Sequence, residues 1–232
     1  MSQTVKIMSA LVIRAMVDEV IVPRYRARGY EPDFVWNPTV ALMKSINEDG
    51  ARADAIVAIN WALDELAQKG LIDPSTLRPV AQASVGLAVR RGVPRPDIST
   101  GDKLRQVLLD TPSLCYSRAG ASGIYFEKLI DRLGIGDAIR AKATVIPVGL
   151  TGEKAASGEV DLAIQQVSEL MAVKGIDFVG PFPDELQATT DFSAAVFADS
   201  AHRAGAAAFI DILLTPEARQ AYIRTGLEPL FS

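Results

Sequence analysis

The sequence predicts an α/β chain folded as two lobes, and three observations carry that prediction. Strand-like and helix-like segments alternate through most of the 232 residues. Two long extended stretches, one from Leu77 and one from Ile176, interrupt the alternation. Two helical segments are left over at the end of the chain. The composition, 49% hydrophobic and 22% charged, is that of an ordinary globular protein. The length suits one large domain or two small lobes.

The elements follow in order. Val5–Ser9 reads as a strand and Leu11–Ala27 as a helix, with Leu11, Ala15 and Val22 on one face and Gly29 as its stop. Phe34–Trp36 is a second strand, followed after Pro38 and Thr39 by a helix over Val40–Glu48. Asp54–Ile59 is a third, continuously apolar strand. Trp61–Lys69 is a helix stopped by Gly70, where a left-handed glycine is expected. The first extended stretch, Leu77–Arg91, closes at Pro94-Arg95-Pro96. A second series then runs helix Asp102–Leu109, strand Ser113–Tyr116, helix Ser122–Leu133, strand Thr144–Ile146, helix Gly152–Ser157, strand Val160–Gln165. Extended segments Ile176–Val179 and Phe192–Ala198 and helices His202–Leu214 and Pro216–Thr225 complete the chain. Repetition of this kind implies a mostly parallel sheet covered on both faces. The economical arrangement is one lobe of residues 1–82 and 190–232, a second of residues 83–189, and two extended crossovers that serve as hinges.

Composition removes several functions. The net charge is −4, with both signs scattered and no basic run of nucleic-acid length, so no nucleic-acid partner is expected. The densest basic stretch, Arg24 to Arg28, reads as an exposed helix end. No apolar run reaches the ~18 residues of a membrane span, so no membrane insertion is expected. A single histidine, His202, and the wide spacing of Asp97, Asp102 and Asp110 leave no metal site. No cofactor motif is present. Cys115, alone, forms no internal disulfide and reads as a small buried hydrophobe. Met1-Ser2 reads as a natural start without a basic or long apolar leader, which makes the chain as written cytoplasmic, or periplasmic if a leader has been removed.

In parallel α/β sheets, ligands bind at the carboxyl ends of strands, near helix starts. The candidates therefore lie just after the predicted strands. Ser9, Ala10 and Leu11 follow the first; Asn37 and Thr39 follow the second; Asn60 follows the third. Ser117, Arg118, Ser122 and Gly123 lie in the small-residue turn before a strong helix. At such turns Ser, Thr or Asn can cap the helix, and equally the free N–H groups and positive helix end can hold an anion. Arg118 adds a bidentate charge for a carboxylate, or is simply a surface arginine. Gln165 and Gln166 leave an apolar strand and can donate to an anion without adding charge. Glu169 is the candidate general base if the chain is an enzyme; otherwise it sits in the first turn of the next helix as a carboxylate favoured by the dipole.

The order of these segments resembles the bacterial extracellular solute-binding proteins of the molybdate-binding type. The resemblance rests on the turn Ser9-Ala10 after strand one and on Gly50-Ala51-Arg52-Ala53-Asp54. It also rests on Gly158-Glu159-Val160-Asp161 and on the closing helices from Ala207-Ala208-Phe209 through Pro216-Glu217-Ala218. It implies the type II periplasmic-binding fold, two lobes with two crossover hinge strands. Where molybdate binders of this family carry a tyrosine and a second serine, this chain has Gln165 or Gln166 and Asn37-Pro38-Thr39. The Gln165-Gln166-Val167-Ser168-Glu169 element resembles a divergent branch, the aconitate isomerases.

Two functions follow as expectations. One is a solute-binding protein that clamps a small anion, an organic di- or tricarboxylate or an oxyanion, between its lobes, with an ABC transporter as partner if exported. The other is an isomerase of an unsaturated tricarboxylate that moves an allylic double bond in the same cleft.

Overall fold

A computed structural model describes residues 2–232; Met1, the first residue of the expected first lobe and of the expected natural start, lies outside the described residues. The chain forms two compact units, Met1–Ala83 with Thr190–Ser232, and Ser84–Thr189. It passes from one to the other along a long strand and back at the start of another.

The first unit opens with strand β1, Gln3–Ser9. A continuous helical run over residues 11–27 follows, but it changes type on the way. A 3-10 turn, Leu11–Ile13, leads into α1, Arg14–Met16, then a π turn, Val17–Ile21, then α2, Val22–Ala27. Pro23 explains the wide turn. It has no N–H to give and its ring presses on the carbonyl four residues back, which a π turn relieves. Strand β2, Tyr30–Trp36, starts four residues earlier than expected because it runs through Pro32. It lies at the edge of the sheet, where a missing N–H costs no ladder bond. Helix α3 is Thr39–Glu48, β3 is Ala55–Ile59 and α4 is Asn60–Gln68.

Strand β4, Arg78–Arg90, carries the chain into the second unit. There α5, Gly101–Asp110, β5, Leu114–Ser117, and α6, Ala121–Arg132, are followed by α7, Gly136–Arg140. Next come β6, Ala143–Ile146, α8, Thr151–Ser157, β7, Leu162–Gln166, α9, Val167–Met171, and β8, Ile176–Pro181. Strand β9, Thr189–Val196, returns the chain to the first unit, which ends with α10, Arg203–Leu213, α11, Pro216–Arg224, and β10, Leu227–Pro229.

Neither sheet is as parallel as the strand–helix repetition implied. In the first unit β1 pairs in parallel with β2 and β3, whereas β9 runs antiparallel to β3. In the second, β5 pairs in parallel with β6 and β7, whereas β7 and β8 run antiparallel to β4. The antiparallel members include β4 and β9, the two strands along which the chain changes unit.

Alternation along the strands fills a core on each face of each sheet. In the first unit Val5, Ile7, Ala55 and Val57 face Tyr25, Phe209 and Tyr222. Met8, Ile56 and Ala58 face Leu42, Leu63 and Leu66. In the second, Leu87, Tyr116 and Ile164 pack with Phe126 and Leu129, while Ala88, Cys115 and Ala163 pack with Ala155 and Leu170. Cys115 is fully buried, and that burial pushes its thiol up to about 11.

The short motifs noted in the sequence hold the scaffold together. Asp54, buried, accepts from the Lys6 N–H and from Ser200 Oγ, each at 2.8 Å, and so pins β1 to the approach of α10. Gly158 ends α8 at φ +80°, a left-handed position that favours glycine. Asp161 accepts from Ser113 Oγ at 2.5 Å. Replacing Asp54 by Ala leaves a backbone N–H and a hydroxyl without their acceptor. Asp54→Ala is expected to lose about 2 kcal/mol in urea denaturation; an unchanged midpoint contradicts the pinning role.

Candidate functional site

Helix starts leave backbone N–H groups without intrahelical partners, and a side-chain cap is the usual remedy. Away from the strand ends some helical starts have such caps, while those of α7 and α10 have none. Thr100 accepts from Lys103 N–H, Thr215 from Ala218 N–H and Asp73 from Ser75 N–H. At the carboxyl ends of β1, β2, β3 and β5 it does not. The residues preceding those helical turns, Ala10, Pro38, Ile59 and Gly120, make no side-chain cap. Plain capping, one of the two readings of the three turns, is therefore absent at each.

In the first unit the expected residues lie at three neighbouring strand ends. Ser9, fully buried, turns its hydroxyl onto the Ala10 carbonyl at 2.8 Å. The Ala10 N–H is occupied, donating to the Val57 carbonyl at 2.9 Å. That leaves Leu11, whose side chain is apolar, with only a backbone donor to offer. The Asn37 N–H donates to the Ser9 carbonyl at 3.2 Å, tying the two turns together. Thr39, buried, accepts weakly from Ile59 N–H at 3.4 Å. Asn60 Oδ1 accepts from Ser193 Oγ at 2.8 Å, which holds its amide in place. Ser193, buried on β9, was not anticipated; nothing in an extended segment marks one serine from another.

In the second unit the arrangement is more specific. Ser117 and Ser122 are buried, and neither hydroxyl has a hydrogen-bond partner among the described residues. Leaving a buried hydroxyl unpaired costs about 1–3 kcal/mol, so two together need a reason. They sit around a glycine pair that lets α6 come close to the end of β5. A Cβ on Gly120 would lie 2.5 Å from Ser117 Oγ, and one on Gly123 would overlap the Ser117 carbonyl. The Gly123 N–H already donates to the Gly120 carbonyl at 3.1 Å, so this glycine serves close approach rather than donation. The Arg118 N–H donates to the Ile146 carbonyl at 2.8 Å; its exposed side chain has no ion pair among the described residues.

The β5–β7 register sets Cys115 beside Ala163, which carries Ser117 level with Gln165. Here the two glutamines part company. Gln165 is engaged within the fold. Its Oε1 accepts from Thr151 N–H at 2.7 Å and from Thr151 Oγ1 at 2.9 Å, and its Nε2 donates to the Gly149 carbonyl at 3.0 Å. It caps α8 from a neighbouring strand, and a ligand contact from this side chain is not free to form. Thr151, missed in the sequence, follows strand β6 just as the other candidates follow theirs, so the same rule could have found it. Gln166 is buried and its side chain makes no hydrogen bond to the described residues, and next to it Ser168 carries a third buried hydroxyl without a partner.

Glu169 completes the group. Burial pushes its carboxyl up to about 7, against the Gln165 side-chain amide and the Gln166 N–H, which pull it down. His202, in contrast, precedes α10 at the surface with Nδ1 2.7 Å from Gln3 Nε2. Among the described residues no His, Cys, Asp or Glu cluster suits a metal ion, and no helix is long and apolar enough to cross a membrane.

The chain belongs to the bacterial extracellular solute-binding protein family, whose model matches residues 5–228. It is 34% identical over 232 residues to an aconitate isomerase of a Pseudomonas species, covering 98% of this chain and 88% of that protein. Solved structures show the fold. The periplasmic molybdate-binding protein of Azotobacter vinelandii matches with TM-score 0.80 at 15% identity, over 96% of this chain and 98% of that one. The sulfate-binding protein of Mycobacterium tuberculosis matches with TM-score 0.74 at 17% identity, over 98% and 87%. The architecture is the mixed α/β fold of periplasmic binding proteins, as the resemblance implied.

The raised carboxyl of Glu169 has a stability consequence. From its ordinary 4.5 up to about 7 the folded state keeps a proton that the unfolded chain releases. Its contribution is full below the ordinary value and lost as pH rises through about 7. Wild type is therefore expected to lose up to about 3 kcal/mol relative to Glu169→Gln between pH 4.5 and pH 8 in urea denaturation. A difference that does not change with pH contradicts the buried, proton-holding carboxyl.

Proposed function

We propose that this chain is a binding protein for a small anion, an organic di- or tricarboxylate or a tetrahedral oxyanion. One observation carries the reading: buried, unpartnered Ser117 and Ser122 hydroxyls at the uncapped start of the twelve-residue helix α6. Hydroxyls and orphan N–H groups gathered at the positive end of a helix suit an anion. Arg118 supplies the nearby unpaired charge and Gln166 a neutral donor. The named ligands of the structural neighbours, molybdate and sulfate, support the anionic class. Of the two locations read from the sequence, the family favours the periplasm, with an ABC transporter taking the ligand.

A second reading has its own support in Glu169 and in the aconitate isomerase relative. A carboxyl near neutrality can take a proton from one carbon of an allylic acid and return it at another, as a base and then an acid. The serines and the α6 start would then stabilise the charge that develops on the substrate carboxylate.

Thermal denaturation with millimolar sulfate, molybdate and trans-aconitate tests the first reading. At least one is expected to raise the melting temperature by mass action. Ser117→Ala with Ser122→Ala should weaken that ligand about tenfold per hydroxyl. No shift with any of the three contradicts the proposal. The clamp expected from the sequence makes a separate demand, that Thr39→Ala also weakens the same ligand. Incubating trans-aconitate with the protein and following it by proton NMR tests the second reading. Appearance of the cis isomer, lost in Glu169→Gln, supports an isomerase; unchanged substrate after a day removes it for this compound.

A further inference from the structure

Among the described residues Glu169 is the only buried acid of the second unit, and it has no cation beside it. Its surroundings can be followed element by element. Helix α9 packs on β7, β8 and α8, and Val167 lies against Gly86 of β4. Strand β7 bears no charged side chain. On β8, Asp177 accepts from Gly92 N–H and lies 3.9 Å from Arg91. On α8, Glu153 is exposed and Lys154 is paired with Glu159 at 2.7 Å. Arg90 of β4 pairs in register with Ile176, at the opposite end of the strand from Val85, which is level with Gln166. The groups acting on Glu169 are therefore dipoles and burial, not charges.

Ser168, next to Glu169, carries an unpartnered hydroxyl, and the register that sets Ser117 level with Gln165 brings the end of β5, where an anion is proposed to bind, beside the residue whose amide acts on Glu169. Two like charges in a water-poor site disfavour one another strongly, and the one cation at the α6 start, Arg118, is exposed and so screened by solvent. One of them must be neutralised, and Glu169, which burial makes more basic than sulfate or an ordinary carboxylate, is the one to accept the proton. A neutral carboxyl, moreover, gains an O–H donor, which an ionised one lacks.

We infer that Glu169 couples anion binding to the uptake of one proton, so that the protein holds its anion with Glu169 neutral and releases it when Glu169 ionises. The inference rests on the anion-binding reading and deepens it by making proton activity a regulator of the site. Free Glu169 titrates at about 7, so below that value binding takes up little. Above it, affinity falls about tenfold for each pH unit.

Calorimetric titration of the full chain with sulfate and with trans-aconitate is the test. It is run at about pH 6 and about pH 8.5, in buffers of different ionisation heat, and both probes are fully ionised at the higher value. Near one proton taken up per anion at the higher pH, and a pH-independent affinity with no uptake in Glu169→Gln, is the expected result. Wild type that binds equally well at both pH values, without buffer-dependent heat, overturns the coupling and leaves anion binding intact. Glu169→Gln that keeps the wild-type pH profile overturns the role of this residue. No binding of either probe at about pH 6 overturns the anion reading and the coupling with it. The wild-type buffer dependence decides the matter even if the variant does not fold.

Discussion

A backbone N–H at the first turn of a helix needs an acceptor, and at four strand ends this protein withholds one. That constraint organises the rest. Side-chain caps stand at Thr100, Thr215 and Asp73 and are lacking at the starts of α7 and α10. They are missing after β1, β2, β3 and β5, where residues with suitable side chains stand close by. Ser9, Ser117 and Ser122 are of the types that cap well, yet none of them does so. Unpaired donors and buried hydroxyls brought together in this way are costly unless something else completes them.

The strand ends after β6 and β7 show how differently the same chain behaves when the acceptor is built in. Gln165 reaches from β7 to Thr151 and serves α8, whereas the Gln166 N–H acts on Glu169 against the effect of its burial. The first arrangement is a scaffold brace. The second uses a carboxyl that burial holds near neutrality, a condition in which a structural contact is also a proton-holding one. The binder and isomerase readings proposed for this chain draw on the same atoms; what separates them is whether Glu169 only holds its proton or also passes it to carbon.

Much of this was legible in the sequence. Strand–helix alternation, with glycines at helix stops, located the elements, because local periodicity decides where a segment can bury its apolar face. Strand ends followed by small polar residues located Ser9, Thr39, Ser117, Ser122 and the Gln165–Glu169 element. Three things were not legible. Pairing direction depends on where β4 and β9 return, which periodicity does not encode. The π turn before Pro23 relieves the proline, but the sequence does not say whether the helix kinks, breaks or widens there. The division of labour between Gln165 and Gln166 depends on Thr151, fourteen residues away from the first and brought to it only by the sheet. For the same reason Ala10 reads as a donor in sequence but is paired to Val57 in the fold.

The central claim is that free donors at strand ends hold a small anion, and backbone amide NMR addresses those donors directly. With sulfate or trans-aconitate added to isotope-labelled protein, the amides of Ala121 and Ser122 at the α6 start are expected to move most within the second unit. Those of Lys103 and Ala218, already bonded to Thr100 and Thr215, are expected to stay in place. Saturable shifts confined to the capped starts, or no shifts at the α6 start with either anion, would contradict the account.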